Sequence, residues 1–246
     1  MLVIAALVAG GAFAQIQMSA GAGFVSNGGR LGKATYDKAP ADETYTMSDS
    51  AVGGFLFFDA TYAELSVGIL SGKTTNVTRD FKATYKDKDG KDVTYTSASE
   101  EQFSTTGLDI SLLGRYPVQV GKMTVSPLLG VGYTIVLGIK DNAGNDPWEK
   151  DDKKGNFQGD YAKFKGKAGD YSTFRIQLGA GADFDITDQI YFRVQGLGFY
   201  RLPTKGQKTL LEGNFAKDQK TSNPIDVPAV KGGFGGAITA AVGYRF

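Results

Sequence analysis

The sequence contains no cysteine and no histidine. The absence of cysteine excludes a disulfide framework and thiolate chemistry. The absence of histidine removes the usual general base and the commonest metal ligand, and with them the serine hydrolase mechanisms that depend on one. A net charge of +1, from 27 basic and 26 acidic residues, gives no electrostatic reason to expect a nucleic-acid partner. We therefore expect no enzymatic activity, no metal or other cofactor and no bound nucleic acid.

Long apolar runs are also missing. The stretch at residues 1–14 is apolar but too short to cross a bilayer as a helix. It ends in the tripeptide AFA, which has the A-x-A pattern of a signal-peptidase site. We predict a signal peptide over residues 1–14, cleaved between Ala14 and Gln15, and an exported mature chain over 15–246.

What the sequence has in quantity is glycine (34 residues), phenylalanine (16) and tyrosine (12), a mixture typical of strands and turns. At the carboxy terminus, Phe246, Tyr244 and Val242 alternate with Arg245 and Gly243, which is the period of a β-strand. Seven further segments are predicted as strands, although the facing of the second is ambiguous because four consecutive residues are apolar. They lie near 16–24, 52–59, 63–69, 106–116, 123–133, 174–184 and 190–201.

The connections between these eight segments alternate in length. Three are tight turns, after Asp59, after Tyr116 and after Asp185. Four are long, near 25–51, 72–105, 138–172 and 203–232. This alternation and the even strand number predict an all-β fold, an eight-stranded antiparallel up-and-down transmembrane β-barrel.

The placement of charge supports this fold class. Lysine lies in the long loops and at one turn, whereas the basic residues within strands are all arginine. Arginine is the better partner for a buried carboxylate because its planar fork pairs with both oxygens. We therefore expect the apolar face of each strand to contact lipid and the charged face to line the interior. The predicted inward residues are Glu64, Asp109, Arg115, Arg175, Asp183, Arg193, Arg201 and Arg245.

The AFA tripeptide, the eight alternating segments and the terminal Tyr244-Arg245-Phe246 together resemble the small outer-membrane barrels of the OmpA membrane domain, OmpX and OmpW group. The resemblance covers residues 15–246 as a pattern. It implies a location in the cell outer membrane, with extracellular loops and periplasmic turns. It also implies outer-membrane lipids as partners and an assembly signal, formed by Tyr244 and Phe246, that the barrel-assembly machinery recognises. A monomer is expected.

Two other motifs are weaker. VGILSGKTT, at Val67–Thr75, suggests a phosphate-binding loop, but its glycines are separated by three residues rather than four and no helix follows. DKDGKD (Asp87–Asp92) and DNAGND (Asp141–Asp146) resemble calcium loops. Both are also good turn sequences, and Tyr85–Tyr95 is a candidate hairpin above the membrane. We favour turns over calcium sites.

The inward charges and the loops leave the function open. Asp183 and Asp185 could form a catalytic carboxylate pair, but nearby Arg193 and Arg245 make structural ion pairs the preferred interpretation. Eight strands enclose little space, so we favour a filled, ion-paired interior over a narrow pore. The first hypothesis is therefore a structural anchor whose surface loops, which include Trp148, mediate contact or adhesion with an extracellular ligand. The alternative is a narrow channel or transporter for small solutes, including hydrophobic ones, as in OmpW-like barrels.

Overall fold

The computed structural model describes residues 17–38, 41–76, 80–86, 92–97, 101–140, 168–205 and 231–246. These residues form β-strands and one short 3-10 helix, at Ala168–Tyr171. The described part of the chain has no helix that is long and apolar enough to cross a membrane. The predicted signal peptide with its cleavage site, the DNAGND segment and Trp148 all lie outside the described residues.

Eight long strands form a closed antiparallel barrel. Each pairs with its neighbour along the chain, apart from the insertions described below, and the first strand pairs with both the second and the last. The predicted fold class is therefore confirmed. In chain order the strands are β1 (Met18–Lys38), β2 (Ala41–Ala60), β3 (Ala63–Asn76), β4 (Asp80–Lys86), β5 (Asp92–Ser97), β6 (Glu101–Arg115), β7 (Val118–Val120), β8 (Met123–Lys140), β9 (Thr173–Asp185), β10 (Ile190–Arg201) and β11 (Gly233–Arg245). All except β4, β5 and β7 belong to the barrel wall.

The strands are staggered around the barrel. Starting at Ser19 on β1 and stepping across each register pair, the path returns to β1 at Gly29, ten residues further along. It passes through Asp59, Glu64, Leu113, Gly130, Gln177, Phe199 and Gly235. A stagger of this size in eight strands corresponds to a strand tilt of about 40° and an interior just wide enough for side chains.

The connections at the two ends of the barrel differ, as predicted. At one end the turns are short: Thr61–Tyr62, the segment 116–122 that contains β7, and Ile186–Gln189. We call this the turn side and the opposite end the loop side. The expectation of a loop over 25–51 was wrong, because β1 and β2 stay paired from Met18↔Ala60 to Lys38↔Ala41. Beyond the apolar band the sequence of these strands is mostly polar or glycine, so the alternation of apolar and polar residues that marks a strand disappears.

The segment 72–105 is also largely strand. β3 continues to Asn76, which pairs with Glu101 at the start of β6, and the residues between them include the β4–β5 hairpin. The candidate hairpin at Tyr85–Tyr95 is therefore confirmed, and β4 extends the sheet by pairing with the loop-side end of β2. Of the predicted loops at 138–172 and 203–232, residues 141–167 and 206–230 lie outside the described part of the chain.

The β1–β2 and β4–β5 hairpins contain a short repeat. KATY occurs at Lys33–Tyr36 and Lys82–Tyr85, and TYT occurs at Thr44–Thr46 and Thr94–Thr96. The two copies pair in the same register, with the alanine of KATY opposite the tyrosine of TYT in each. The sheet on the loop side is thus built from two similar hairpins side by side.

The outer surface of the barrel is apolar. Phe24, Phe234 and Leu56 are 77%, 74% and 68% exposed, and the other lipid-facing positions of the eight wall strands are mostly aliphatic or aromatic. Rings cluster at both margins of this surface. On the turn side Phe58 and Phe246 lie 6.5 Å apart between centroids, and on the loop side Tyr200 and Phe234 lie 4.9 Å apart. Polar side chains lie inside, so the barrel has the inverse polarity of a soluble one.

Candidate functional site: the charged interior

A group of five charged side chains fills the turn-side half of the interior. We call it the charge network: Asp59 on β2, Glu64 on β3, Arg115 on β6, Asp183 on β9 and Arg193 on β10. Each lies at an inward position of its strand, and the stagger of the barrel brings the five to one level. All five are buried, and Arg193 and Glu64 are each only 1% exposed.

Arg193 is the hub of the charge network. Its Nε and Nη2 donate to the two oxygens of Asp183, at 2.7 and 2.9 Å, in the paired geometry that favours arginine. Its Nη1 lies 2.6 Å from Asp59 Oδ2 and 2.9 Å from Glu64 Oε2. The guanidinium also lies over the ring of Phe57, 4.7 Å from its centroid. One side chain therefore connects the adjacent strand β9 with β2 and β3, which lie elsewhere in the barrel wall.

Arg115 closes the charge network from the opposite wall. Its Nη1 donates to Asp59 and its Nη2 donates to Asp183, both at 2.8 Å. Its Nη1 also lies 3.9 Å from Glu64, to which the amide of Gln195 donates at 2.8 Å. Two guanidinium groups are thus enclosed by three carboxylates. Each charge keeps an opposite charge in contact, because an unpaired buried charge is costly.

Tyr191 lies beneath the charge network and is fully buried. Its hydroxyl is 2.7 Å from Ser19 Oγ, which in turn donates to Asp59. Its ring passes over Gly243 on β11, where a Cβ atom would lie 2.3 Å from the ring. The absent side chain of Gly243 therefore lets Tyr191 of β10 reach Ser19 of β1. On the turn side of the ring, Arg245 lies 4.4 Å from its centroid and pairs with Asp185 at 2.7 Å.

A second pair, Arg175 with Asp109, lies nearer the loop side. The two nitrogens of the Arg175 fork lie 2.6 and 2.8 Å from the two Asp109 oxygens, and Thr134 donates to the same carboxylate at 2.6 Å. Arg175 Nε donates to Gln177 at 2.9 Å. Further out, Arg201 pairs with Asp49 and lies over Phe199, 4.5 Å from its centroid. The interior is therefore layered with ion pairs along its length.

Small cavities separate these layers. One, of about 40 Å³, lies between the charge network and the Arg175–Asp109 pair and is lined in part by Glu64, Asp109 and Gln177. Another, of about 60 Å³, lies on the loop side near Arg201 and Asp49. Asn27 lines both, and its Oδ1 is buried without a hydrogen-bond partner. Each cavity is large enough for water, and neither extends past the charge network to the turn side.

An apolar cluster of Phe103, Ile139 and Tyr171 lies at the loop-side end of the interior. Burial raises the pKa of the Tyr171 phenol above its ordinary value, and the nearby Asp170 carboxylate acts in the same direction. Tyr171 is therefore neutral at physiological pH and contributes to the cluster as an aromatic side chain.

Of the eight inward residues predicted from the sequence, seven lie inside the barrel and Arg245 lies at its turn-side rim, and each has an opposite charge as a partner. Asp183 and Asp185 belong to separate ion pairs, with Arg193 and Arg245, rather than to a carboxylate pair. Among the described residues, no three acidic side chains are grouped so as to hold a metal ion.

Sequence reasoning missed two carboxylates of this interior. Asp59 follows the apolar run Phe55–Phe58, which concealed the facing of β2. Counting alternate positions back from the turn at Thr61 would have placed it inward. Asp49 lay in a segment expected to be a loop. The role of Tyr191 had no local signal, since it depends on Gly243 and Ser19 in other strands.

A closed antiparallel barrel with an apolar exterior and an ion-paired interior defines the class of transmembrane β-barrels. No family model and no curated protein matches the sequence. Among solved structures, the chain is similar to the outer membrane protease OmpT from Escherichia coli. The identity is 9% and the TM-score 0.39, over 96% of this chain and 98% of that one. At this level of likeness, function has to be argued from the residues of this chain.

Proposed function

We propose that the protein is an integral barrel of the bacterial outer membrane that anchors a loop-side surface for contact with an extracellular ligand. The membrane part of the proposal is supported by the dimensions of the apolar surface. On β9 the lipid-facing rings Phe174 and Phe184 are separated by ten residues, or about 33 Å along the strand. At a tilt of about 40° this distance spans about 25 Å of membrane, the usual height of such an apolar band.

The observation that carries the anchor role is the closed charge network. Arg193 and Arg115 each contact carboxylates on other strands at 2.6–2.9 Å, and the network is buried. Opening a path past it would separate charges in a medium of low dielectric constant, which is strongly unfavourable. A filled interior makes the barrel a rigid support, and the projecting β1–β2 and β4–β5 hairpins give it a broad sheet to display.

A second candidate function, a narrow channel or transporter for small solutes, is favoured by the two cavities on the loop side of the charge network. In that case the ion pairs would have to exchange partners to let a solute through. We propose no catalytic step for either function, because the sequence has neither histidine nor cysteine.

Single-channel conductance of the refolded chain in a planar bilayer distinguishes the two functions. For an anchor we expect no discrete current steps, with folding verified by a heat-dependent shift in electrophoretic mobility. The matched variant is Arg193→Ala, which leaves a gap in the network, with Arg245→Ala at the turn-side rim as its control. Reproducible steps from the unmodified chain would contradict the anchor proposal and make the inward charges candidates for selectivity.

A further inference from the structure

The lipid-facing surface of β1, β2 and β3 changes character towards the loop side. Phe24, Val52 and Ile69 are 77%, 61% and 61% exposed and form its apolar part. Directly beyond them the outward positions become basic or hydroxylic. These positions are Arg30, Ser48, Ser50, Ser71 and Lys73, and we call them the basic patch.

The register brings the members of the basic patch together. Arg30 is directly opposite Ser48, and Lys73 is directly opposite Ser50. Arg30 and Lys73 are two strands apart and offset by two residues, so their Cα atoms are about 12 Å apart. Long side chains from both positions can therefore reach one group lying over the serines of β2. Arg30, Ser50, Ser71 and Lys73 are exposed, and Ser48 is half-buried.

Among the side chains of β1, β2 and β3 that the structure describes, nothing acidic offsets this positive charge on the outward face. Among the described side chains of these three strands, the carboxylates are Asp49, Asp59 and Glu64, and all three face the interior, where each pairs with an arginine. The outward face therefore combines two cations and three hydroxyl groups with an apolar surface immediately below. Guanidinium, ammonium and hydroxyl groups are the donors that hold phosphate.

We propose that the basic patch binds the phosphate-bearing headgroup of an anionic lipid in the outer leaflet, with the acyl chains lying against Phe24, Val52 and Ile69. This inference rests on the proposed membrane location. It identifies a lipid rather than a free anion as the ligand, because the cations are continuous with the lipid-facing surface. The barrel would then hold a bound anionic lipid at one side of its wall.

The test uses the full chain in neutral detergent micelles, with diphosphoryl lipid A as the probe and native mass spectrometry as the readout. The variants R30Q and K73Q each remove one cation, R30Q/K73Q removes both, and K122Q removes one cation at an exposed position on the turn side, away from the patch. Each cation near a charged headgroup contributes roughly fivefold in affinity. We expect lipid A to bind R30Q and K73Q each about fivefold more weakly, R30Q/K73Q about twentyfold more weakly, and K122Q as tightly as the original chain.

Two further arms make the result specific. A neutral glycolipid with the same acyl chains is expected to bind the original chain and R30Q/K73Q equally weakly, and inorganic phosphate is expected not to displace lipid A. An equal loss of affinity in K122Q and in the single variants R30Q and K73Q would overturn the proposal in favour of net charge. Displacement of lipid A by inorganic phosphate would overturn it in favour of a free-anion site. If all variants show heat-dependent mobility and bind lipid A with the affinity of the original chain, the lipid site alone is refuted. Failure to insert into micelles refutes the membrane location itself.

Discussion

At the scale of single residues, Arg193 is the side chain on which the interior depends most. It is 1% exposed and contacts three carboxylates on three strands. Arg245 is chemically identical but lies at the rim, where it stacks on Tyr191 and pairs with Asp185, whose side chain is 35% exposed. The two arginines therefore provide a matched comparison between a buried network and a surface ion pair.

We predict that Arg193→Ala lowers the free energy of unfolding by about 3–5 kcal/mol, because it leaves buried carboxylates without a partner. Arg245→Ala should lower it by only about 1 kcal/mol, because the carboxylate left behind, Asp185, is 35% exposed and stays hydrated without its partner. Urea unfolding in micelles, followed by loss of the heat-dependent mobility, measures both. An unchanged midpoint for Arg193→Ala would indicate that water reaches this arginine and that the interior is open.

Alternation in the sequence was sufficient to predict the inward arginines and most of the inward acidic residues. It was insufficient to predict which arginine pairs with which carboxylate. Arg193 contacts Glu64 across 129 positions of sequence, and that contact depends on the stagger of all eight strands. The same holds for Tyr191 and Ser19, which are 172 positions apart. Spacing within one strand carries no information about a contact made across the barrel.

At the scale of elements, the strands were predictable within the membrane and not beyond it. Lipid on one side and packed charges on the other impose a period of two, which the sequence shows clearly. Beyond that region the sequence of β1 and β2 no longer alternates between apolar and polar residues, although the strands continue to Lys38 and from Ala41. The KATY and TYT repeats were the available clue to a second hairpin of the same kind.

The β4–β5 hairpin is an insertion in the barrel, since Asn76 and Glu101 pair directly on either side of it. We predict that replacing residues 77–100 with an Asn-Gly turn leaves a folded barrel, with a change in unfolding free energy within about 1 kcal/mol, because short tight turns close antiparallel strands well. The measurement is urea unfolding in micelles. Loss of the barrel would contradict it and mean that the hairpin stabilises β2 through their shared register.

At the scale of the whole molecule, closure depends on the contact between the first and last strands. Phe246 donates its backbone N–H to Met18 at 3.2 Å, and its ring lies near those of Phe58 and Tyr244. These lipid-facing rings are therefore at the site where the barrel is sealed. Their suggested role as an assembly signal stays a prediction.

We predict that the variant Y244S/F246S gives a lower yield of folded barrel in membranes, at least severalfold, because two lipid-facing aromatic side chains are lost at the closing strand. Phe234→Ser, on the same strand at the loop side, is the control for loss of an exposed ring. The folded fraction in unheated gels of isolated membranes is the measurement. Equal yields from Y244S/F246S and the unmodified chain would exclude the assembly role. An equal decrease in yield for Phe234→Ser would mean that the loss of any lipid-facing ring has this effect.

The ten-residue stagger has a consequence for how the barrel closes. Because side chains alternate, β11 can slide along β1 only in steps of two residues without turning its apolar face inward. Each such step changes the stagger, and with it the tilt and diameter of the barrel. Tyr191 reaches from β10 across the β1–β11 contact to Ser19 on β1. A shift of two residues in either direction moves Ser19 away from the Tyr191 hydroxyl by about 7 Å. The Tyr191–Ser19 hydrogen bond therefore reports the register of closure, since it forms only when β1 and β11 pair with the stagger that gives the barrel its observed diameter.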